Sequence, residues 1–470
     1  MAGAETTVVD APWIVGGHQP ELFHPGVWFK NFLIEAVARE VDGFGLHCIV
    51  DHDLARASTI KVPCLEPESG RVILRTVPLP LQSQVGPVRP WHDMRIDPAR
   101  LSIFHDEVML YLHSVGASKA LVQRLVHELR DAPDRWDAGR AFSMVRHRIE
   151  REAGLNNSEL PMSDLCSGIA WHDFLHHCWS HASQLHRVYN QSLAEYRERE
   201  GITNPGQPVA ALGEADGWLE LPFWLYRRDS ATRQRMWFRR EGGNWRLGFG
   251  ASPEEFLGTM EWPSQLATSQ QAWQSAIANG VRMRPRALMT TLFLRCFASD
   301  LFIHGIGGGI YDRLTDEIIR RFLEIEPPDF AVCSATLWLP MPRVDETHAE
   351  DLLNSGRVLQ REEQWMRSRP ETLLERSDAN QQRLSAMHAD LLATMPPRGQ
   401  KKAWHHQMTR LKREIVDAVA ERRRELQERR NQWEMQSLEQ KWRRSREFSM
   451  FLFEPSNIVS RLADLSQPDR

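Results

Sequence analysis

The chain has 470 residues, more than one hydrophobic core usually supports, so two or three units are expected. A formal net charge of −4 exerts no global pull toward nucleic acid or a membrane, and the chain has neither a signal-like opening segment nor an apolar run of about eighteen residues. Six cysteines without CxxC pairs argue for reduced thiols and against a zinc ribbon, so a cytoplasmic protein is expected.

Taken in chain order, Trp13, Ile14 and Val15 read as a strand that runs into the loop GGHQPELFHPG, Gly16 to Gly26. Pro25 and Gly26 suit a helix start, and Phe29, Leu33, Ala36 and Val37 recur at helical spacing, so the face opposite Lys30 is expected to pack on a sheet. His18 and His24 then sit in a loop at a strand's carboxyl end, where they could hydrogen-bond phosphate oxygens or stabilise developing charge. The plainer reading has one histidine capping a backbone group and the other on the surface. The run LHCIVDHD, Leu46 to Asp53, is a second strand ending in polar residues; Asp51, His52 and Asp53 suit binding a divalent metal, holding a substrate amine, or an Asx turn.

Residues 1–97 thus read as the first half of a doubly wound α/β core, and 98–215 as a helical connecting subdomain. In the latter, His172 and His176, and His177 and His181, lie one turn apart beside Cys178, but no third ligand stands at a familiar spacing and no metal is expected. Residues 216–262 are rich in β-favouring aromatics around Gly242-Gly243 and read as a small β-rich insertion. There Trp218, Trp224, Trp237 and Trp245 suit either stacking on a ligand or a sheet core.

The second half of the core, 263–344, contains Arg286, suited to a carboxylate or phosphate, and the stretch FIHGIGGGIYDRLTDE. In that stretch Gly305, Gly307, Gly308 and Gly309 are expected to take positive φ in a turn, with a helix starting near Tyr311. His304, Tyr311, Asp312 and Asp316 would surround an anionic ligand. From 345 to 446 the chain is charge-dense, and Leu359, Met366, Leu426 and Trp433 belong to heptad-like repeats. Two helices of roughly 70 Å joined by a Pro-Gly turn are expected, an antiparallel coiled-coil hairpin. Arg422 and Arg429 fall near its seam, which points to homodimerisation through the hairpin. Residues 447–470 are expected to dock on the core through FSMFLFEP.

The order Gly17-His18-Gln19, Asp51-His52-Asp53, then a Gly-rich turn followed by Tyr311 resembles the cysteine ligases of bacillithiol biosynthesis, the BshC family. The resemblance is one of order and spacing over most of the chain. It implies a Rossmann-like core akin to nucleotidylyltransferases, connecting subdomains, a long helical coiled coil, and joining of cysteine to the amine of glucosaminyl-malate. Gly17 and Gln19 match the family's Gly-Gln-Gln loop, Asp51, His52 and Asp53 its Asp-His-Asp segment, and Gly307, Gly308 and Tyr311 its later turn. His18 departs from the family's glutamine, and the turn lacks its Gly-Pro-Gly-Glu.

The reading is a ligase-like enzyme acting on small molecules. His18, His24, Asp51 and Asp53 are the catalytic candidates, and Gly17, Gln19, His52, Arg286 and the Gly-rich turn bind substrate or nucleotide. ATP is the cofactor to weigh, although no Walker loop or KMSKS-like loop is present. The alternatives are a nucleotidylyltransferase and a non-catalytic scaffold for RNA or protein; neither nucleic acid nor membrane is the expected partner.

Overall fold

The structure, a computed structural model, describes residues 11–83, 87–133, 135–228, 230, 232–342, 349–375, 377–443 and 445–467. Strands β1 (Trp13–His18) and β2 (Phe44–Ile49) flank the helix Pro25–Glu40, and β3 (Thr59–Leu65) pairs with β4 (Val72–Pro78). After several helices come β5 (Ser158–Pro161), β6 (Glu214–Ala215) and β7 (Trp218–Arg227). They are followed by β8 (Gln234–Glu241), β9 (Asn244–Gly250), β10 (Phe256–Trp262), β11 (Val281–Pro285), β12 (Leu301–His304) and β13 (Phe330–Val332).

Five of these form a parallel sheet in the order β13-β12-β1-β2-β5. The fold is α/β. Central parallel strands are covered on both faces, so they read as near-continuous apolar runs; Ile14, Val15, Leu46, Cys48, Phe302 and Ile303 are all buried. The chain leaves β1 toward β2 and β5 on one side and later lays β12 and β13 on the other. The strand order therefore reverses at β1, and the carboxyl ends of β12, β1 and β2 lie side by side.

The helix Pro25–Glu40 starts at His24, whose Nδ1 accepts from the Gly26 N–H at 2.9 Å, with Pro25 at the first helical position. Trp28, Phe29, Phe32 and Ile34 are buried on several sides of it, and so is Lys30. The expectation of an outward-facing Lys30 fails because this helix is apolar nearly all round, which marks a buried helix.

A six-stranded antiparallel sheet holds β6 to β11. Its last strand, β11, comes from the stretch expected in the second half of the core, and β5 of the parallel sheet comes from the stretch read as helical. The segment Phe448–Phe453 is buried, and Met450 N–H donates to Phe23 O at 2.7 Å.

Two compact units divide the chain: Met1–Cys64, Arg75–Leu339 and Arg446–Arg470 in one, Leu65–Leu74 and Pro340–Ser445 in the other. The second unit contains the helices Ala349–Ser368, Ala379–Ala393, Lys402–Ala418 and Ala420–Arg443. The expected hairpin start, Asp345, lies outside the described residues. The first arm is not one helix; Pro370 opens a short 3-10 turn after Ser368, since proline cannot donate to a continuing ladder. The helices pair antiparallel, with Trp433 Nε1 donating to Leu352 O at 2.7 Å and Trp404 Nε1 to Leu391 O at 2.7 Å. Arg429 and Arg422 both reach Glu362, at 2.7 and 3.8 Å, so both arginines find an acid within the chain. Among the described residues no helix is long and apolar enough to cross a membrane.

Candidate functional site

A cavity of ≈ 870 Å³ opens over the carboxyl ends of β12, β1 and β2, at the reversal of strand order. Gly17, His18 and Gln19, then His52 and Asp53, then His304, Gly305, Gly307 and Gly308 all line it. Three separate strand ends thus supply one cleft. Five basic side chains line it as well, Lys30, Arg56, Arg233, Arg235 and Arg286, against the single acid Asp53. A concavity with this balance of charge favours an anionic ligand.

The His18 ring is buried against Phe23 and His47, at 4.2 and 4.1 Å between centroids. Its Nδ1 lies 2.9 Å from Gln19 O and donates to it, which leaves Nε2 as a buried acceptor with no partner. Burial pushes the imidazole well below its usual range, and His47, Lys30 and Arg146 push the same way. His18 is a neutral imidazole in the wall of the cleft, with its free nitrogen buried. Lys30, from the helix Pro25–Glu40, donates to Gly17 O at 2.7 Å, and burial brings its amine down to about 8. Sequence reasoning missed this residue; the signal was available in the aromatic residues that surround it in the helix.

Burial alone would raise the Asp53 carboxyl, but Arg233, at 3.1 Å, the Gln19 amide and the Leu54 N–H hold it below its ordinary value. Asp53 is a fixed anion that orients Gln19, and it is a poor proton acceptor. Its neighbour His52 is buried and held neutral by burial and by Arg284. Across the cleft, Trp224 lies between two guanidiniums, Arg286 at 4.5 Å and Arg233 at 4.8 Å from the ring centre. Glu220, buried behind it, accepts Arg286 at 2.7 Å and Arg235 at 3.4 Å. Trp218, Trp237 and Trp245 are buried in the sheet.

Six sequence candidates stand elsewhere, Gly309 among them. His24 is the cap described above, and its Nε2 donates to Leu337 O at 3.0 Å, so both ring nitrogens are used. Asp51 turns away from the cleft to accept from Ser163 N–H at 2.9 Å and from the Ser163 hydroxyl. Tyr311 lies on the exposed face of its helix, outside the cavity lining. Asp312 is buried; its Oδ2 binds His304 Nε2 at 2.6 Å and Arg295 at 2.7 Å, while Asp316 binds Arg295 at 2.8 Å.

The Gly-rich stretch differs from expectation in geometry. Its helix, Ile306–Ile318, begins five residues before Tyr311 with Gly305 at the cap, and no glycine from 305 to 309 takes positive φ. The glycines answer to space instead. A Cβ at Gly308 would stand 2.6 Å from His304 Nδ1 and one at Gly309 2.3 Å from Val332, whereas at Gly305 and Gly307 it would meet nothing within 4 Å.

Behind His18, His47 Nδ1 donates to Glu159 at 2.9 Å, and Arg146 binds Glu159 at 2.5 Å and Glu150 at 3.1 Å. His147, Glu150 and Glu159 bring metal-capable atoms within 4.8 Å of one another, the one such group among the described residues. Arg146 already binds both carboxylates, and Glu150, 3.6 Å away, raises His147 toward its charged form, which makes this an ion-pair cluster. No family model matches the chain, and no curated protein matches it.

Proposed function

We propose that this protein is an amide-forming ligase that joins an amino acid, cysteine first among them, to an amino-sugar acceptor such as glucosaminyl-malate, within a Rossmann-like core of the nucleotidylyltransferase type. The observation that carries the reading is a neutral histidine, His18, in the wall of a cation-lined cleft at the ends of β12, β1 and β2. Amide formation needs a base for the acceptor amine and positive charge where the acyl oxygen and its leaving group gather electrons. His18 Nε2 takes the amine proton as the C–N bond forms. Lys30 and the basic side chains across the cleft stabilise the leaving anion, while Asp53, held ionised by Arg233, fixes Gln19 beside the reacting groups.

The bacillithiol-type product remains the leading candidate through the resemblance in residue order. Mass spectrometry after incubation with cysteine, glucosaminyl-malate and ATP should detect the condensed product. His18→Gln should lower its rate by about 10²–10⁴-fold, the usual contribution of a positioned base. Absence of product with every amino acid offered would end this reading. The second reading, a nucleotidylyltransferase, draws on the five basic side chains of the cleft, which suit a nucleotide's phosphates; it requires pyrophosphate release from ATP without an amine. For the helices of the second unit we propose a coiled-coil seam and homodimerisation through it, tested by light scattering.

A further inference from the structure

We propose that the cleft contains a phosphate subsite, built by Lys30 and the open amino end of the helix Ile306–Ile318, that receives the phosphate of an activated acyl donor. The proposal deepens the ligase reading and rests on it for the identity of the donor, though not for binding itself.

Three observations converge. Lys30 is only 6% exposed, its one hydrogen bond goes to a neutral carbonyl, Gly17 O, and no carboxylate forms an ion pair with it among the described residues. The groups that act on it are the Cys333 thiol, pushed up by burial and therefore neutral, the cation Arg146, and the neutral His18. A buried ammonium without a counter-charge is costly, and a bound anion supplies one. Second, the helix Ile306–Ile318 starts at Gly305 without a side-chain cap and with no acid in its first turn, so its first N–H groups and positive end stay uncommitted. Space over Gly305 and Gly307 is open. Third, His18, 7% exposed and held neutral, lines the same cavity, so it sets no competing charge against a bound anion.

Register makes the first two neighbours. Gly16 pairs with Ile303, so Gly17, which Lys30 holds, and His304, which precedes the helix cap, stand together at the sheet's edge. A tetrahedral dianion accepts from the ammonium and from the helix N–H groups at once. The step then balances: the acyl carbon–oxygen bond to phosphate breaks with its electron pair going to the phosphate, the carbon–nitrogen bond forms, and the amine proton passes to His18 Nε2.

Inorganic sulfate, which does not titrate near neutrality, is the first probe, by calorimetry on the full chain. Saturable binding is expected, and Lys30→Met should weaken it by at least about tenfold, as for loss of a charge-assisted bond. Arg56→Gln removes equal charge from an exposed position of the same cleft and should weaken it by less than about threefold, the size of a screened long-range effect. Because the free amine lies near 8 and an anion raises it, binding at pH 8 should take up protons, seen as an apparent enthalpy that depends on the buffer.

Gly307→Asp puts a carboxylate into the open space at the helix start and should abolish sulfate binding while leaving the melting temperature unchanged or higher. Displacement of sulfate by acetyl phosphate supports an acyl phosphate donor, and stronger displacement by AMP supports an acyl-adenylate. No saturable sulfate binding, equal weakening by Lys30→Met and Arg56→Gln, or displacement by neither phosphate compound overturns the proposal. Sulfate binding without any amide product would sink the ligase reading and leave the subsite standing. Amide formation without sulfate binding would do the reverse.

Discussion

Replacing Lys30 by methionine should make the protein more stable. Burial lowers the amine from 10.5 to about 8, so between these values the unfolded chain binds more protons than the folded one, and stability rises with pH through that window. Below about pH 8 the full penalty is present, about 3 kcal/mol at 1.36 kcal/mol for each unit of pKa. Methionine keeps the unbranched stem and removes the charge, while the lost bond to Gly17 O returns about 1–2 kcal/mol of that gain. The net expectation is about 1–2 kcal/mol of stabilisation at pH 7, a melting temperature higher by roughly 1–3 °C for a unit of this size. Scanning calorimetry at pH 7 and pH 10 reads it, and the gap should shrink at pH 10, where wild-type Lys30 is neutral in the fold. A lower melting temperature at pH 7, or an equal gap at both values, would show that Lys30 is held for packing, contrary to the argument from an unpaired buried charge.

Gly308→Ala should cost about 1–3 kcal/mol, because its Cβ would press on His304, whereas Gly307→Ala should stay within about 0.5 kcal/mol; equal losses by chemical denaturation would contradict the spatial account of the two glycines. Asp51→Ala should cost about 1–3 kcal/mol by stranding the Ser163 N–H, and should leave sulfate affinity unchanged. Lost affinity at constant stability would return Asp51 to the site. His92 is lowered from 6.5 to about 3, chiefly by burial, so its contribution is present above pH 6.5 and is lost as acid protonates the unfolded chain. That loss is about 3 kcal/mol at pH 4.5, and Asp51, raised to about 6, opposes it by about 2 kcal/mol. His92→Gln should therefore narrow the difference in melting temperature between pH 7 and 4.5; an unchanged difference would show that His92 is free to charge in the fold.

The sequence by itself determined the α/β class and which three segments end at the cleft, because a strand followed by a polar turn and an amphipathic run leaves a local pattern. Gly17, His18, Gln19, His52, Asp53, Arg286, His304, Gly305, Gly307 and Gly308 reach the cleft from segments chosen on that pattern alone. What only the tertiary structure decided was direction and partnership. Asp51 and Asp53 read alike in sequence, yet one accepts from Ser163 and the other from Arg233, residues more than a hundred positions away. His18 and His24 also read alike, and a helix start consumed one of them. Lys30 reads as a surface lysine until the helix is seen to be covered on all sides, and the arginines of β8 and the turn before it reach the cleft only because the second sheet folds beside the first. Local periodicity reports the faces of an element; which charge is left without a partner depends on contacts between residues far apart in the chain, and these exist only in the folded protein.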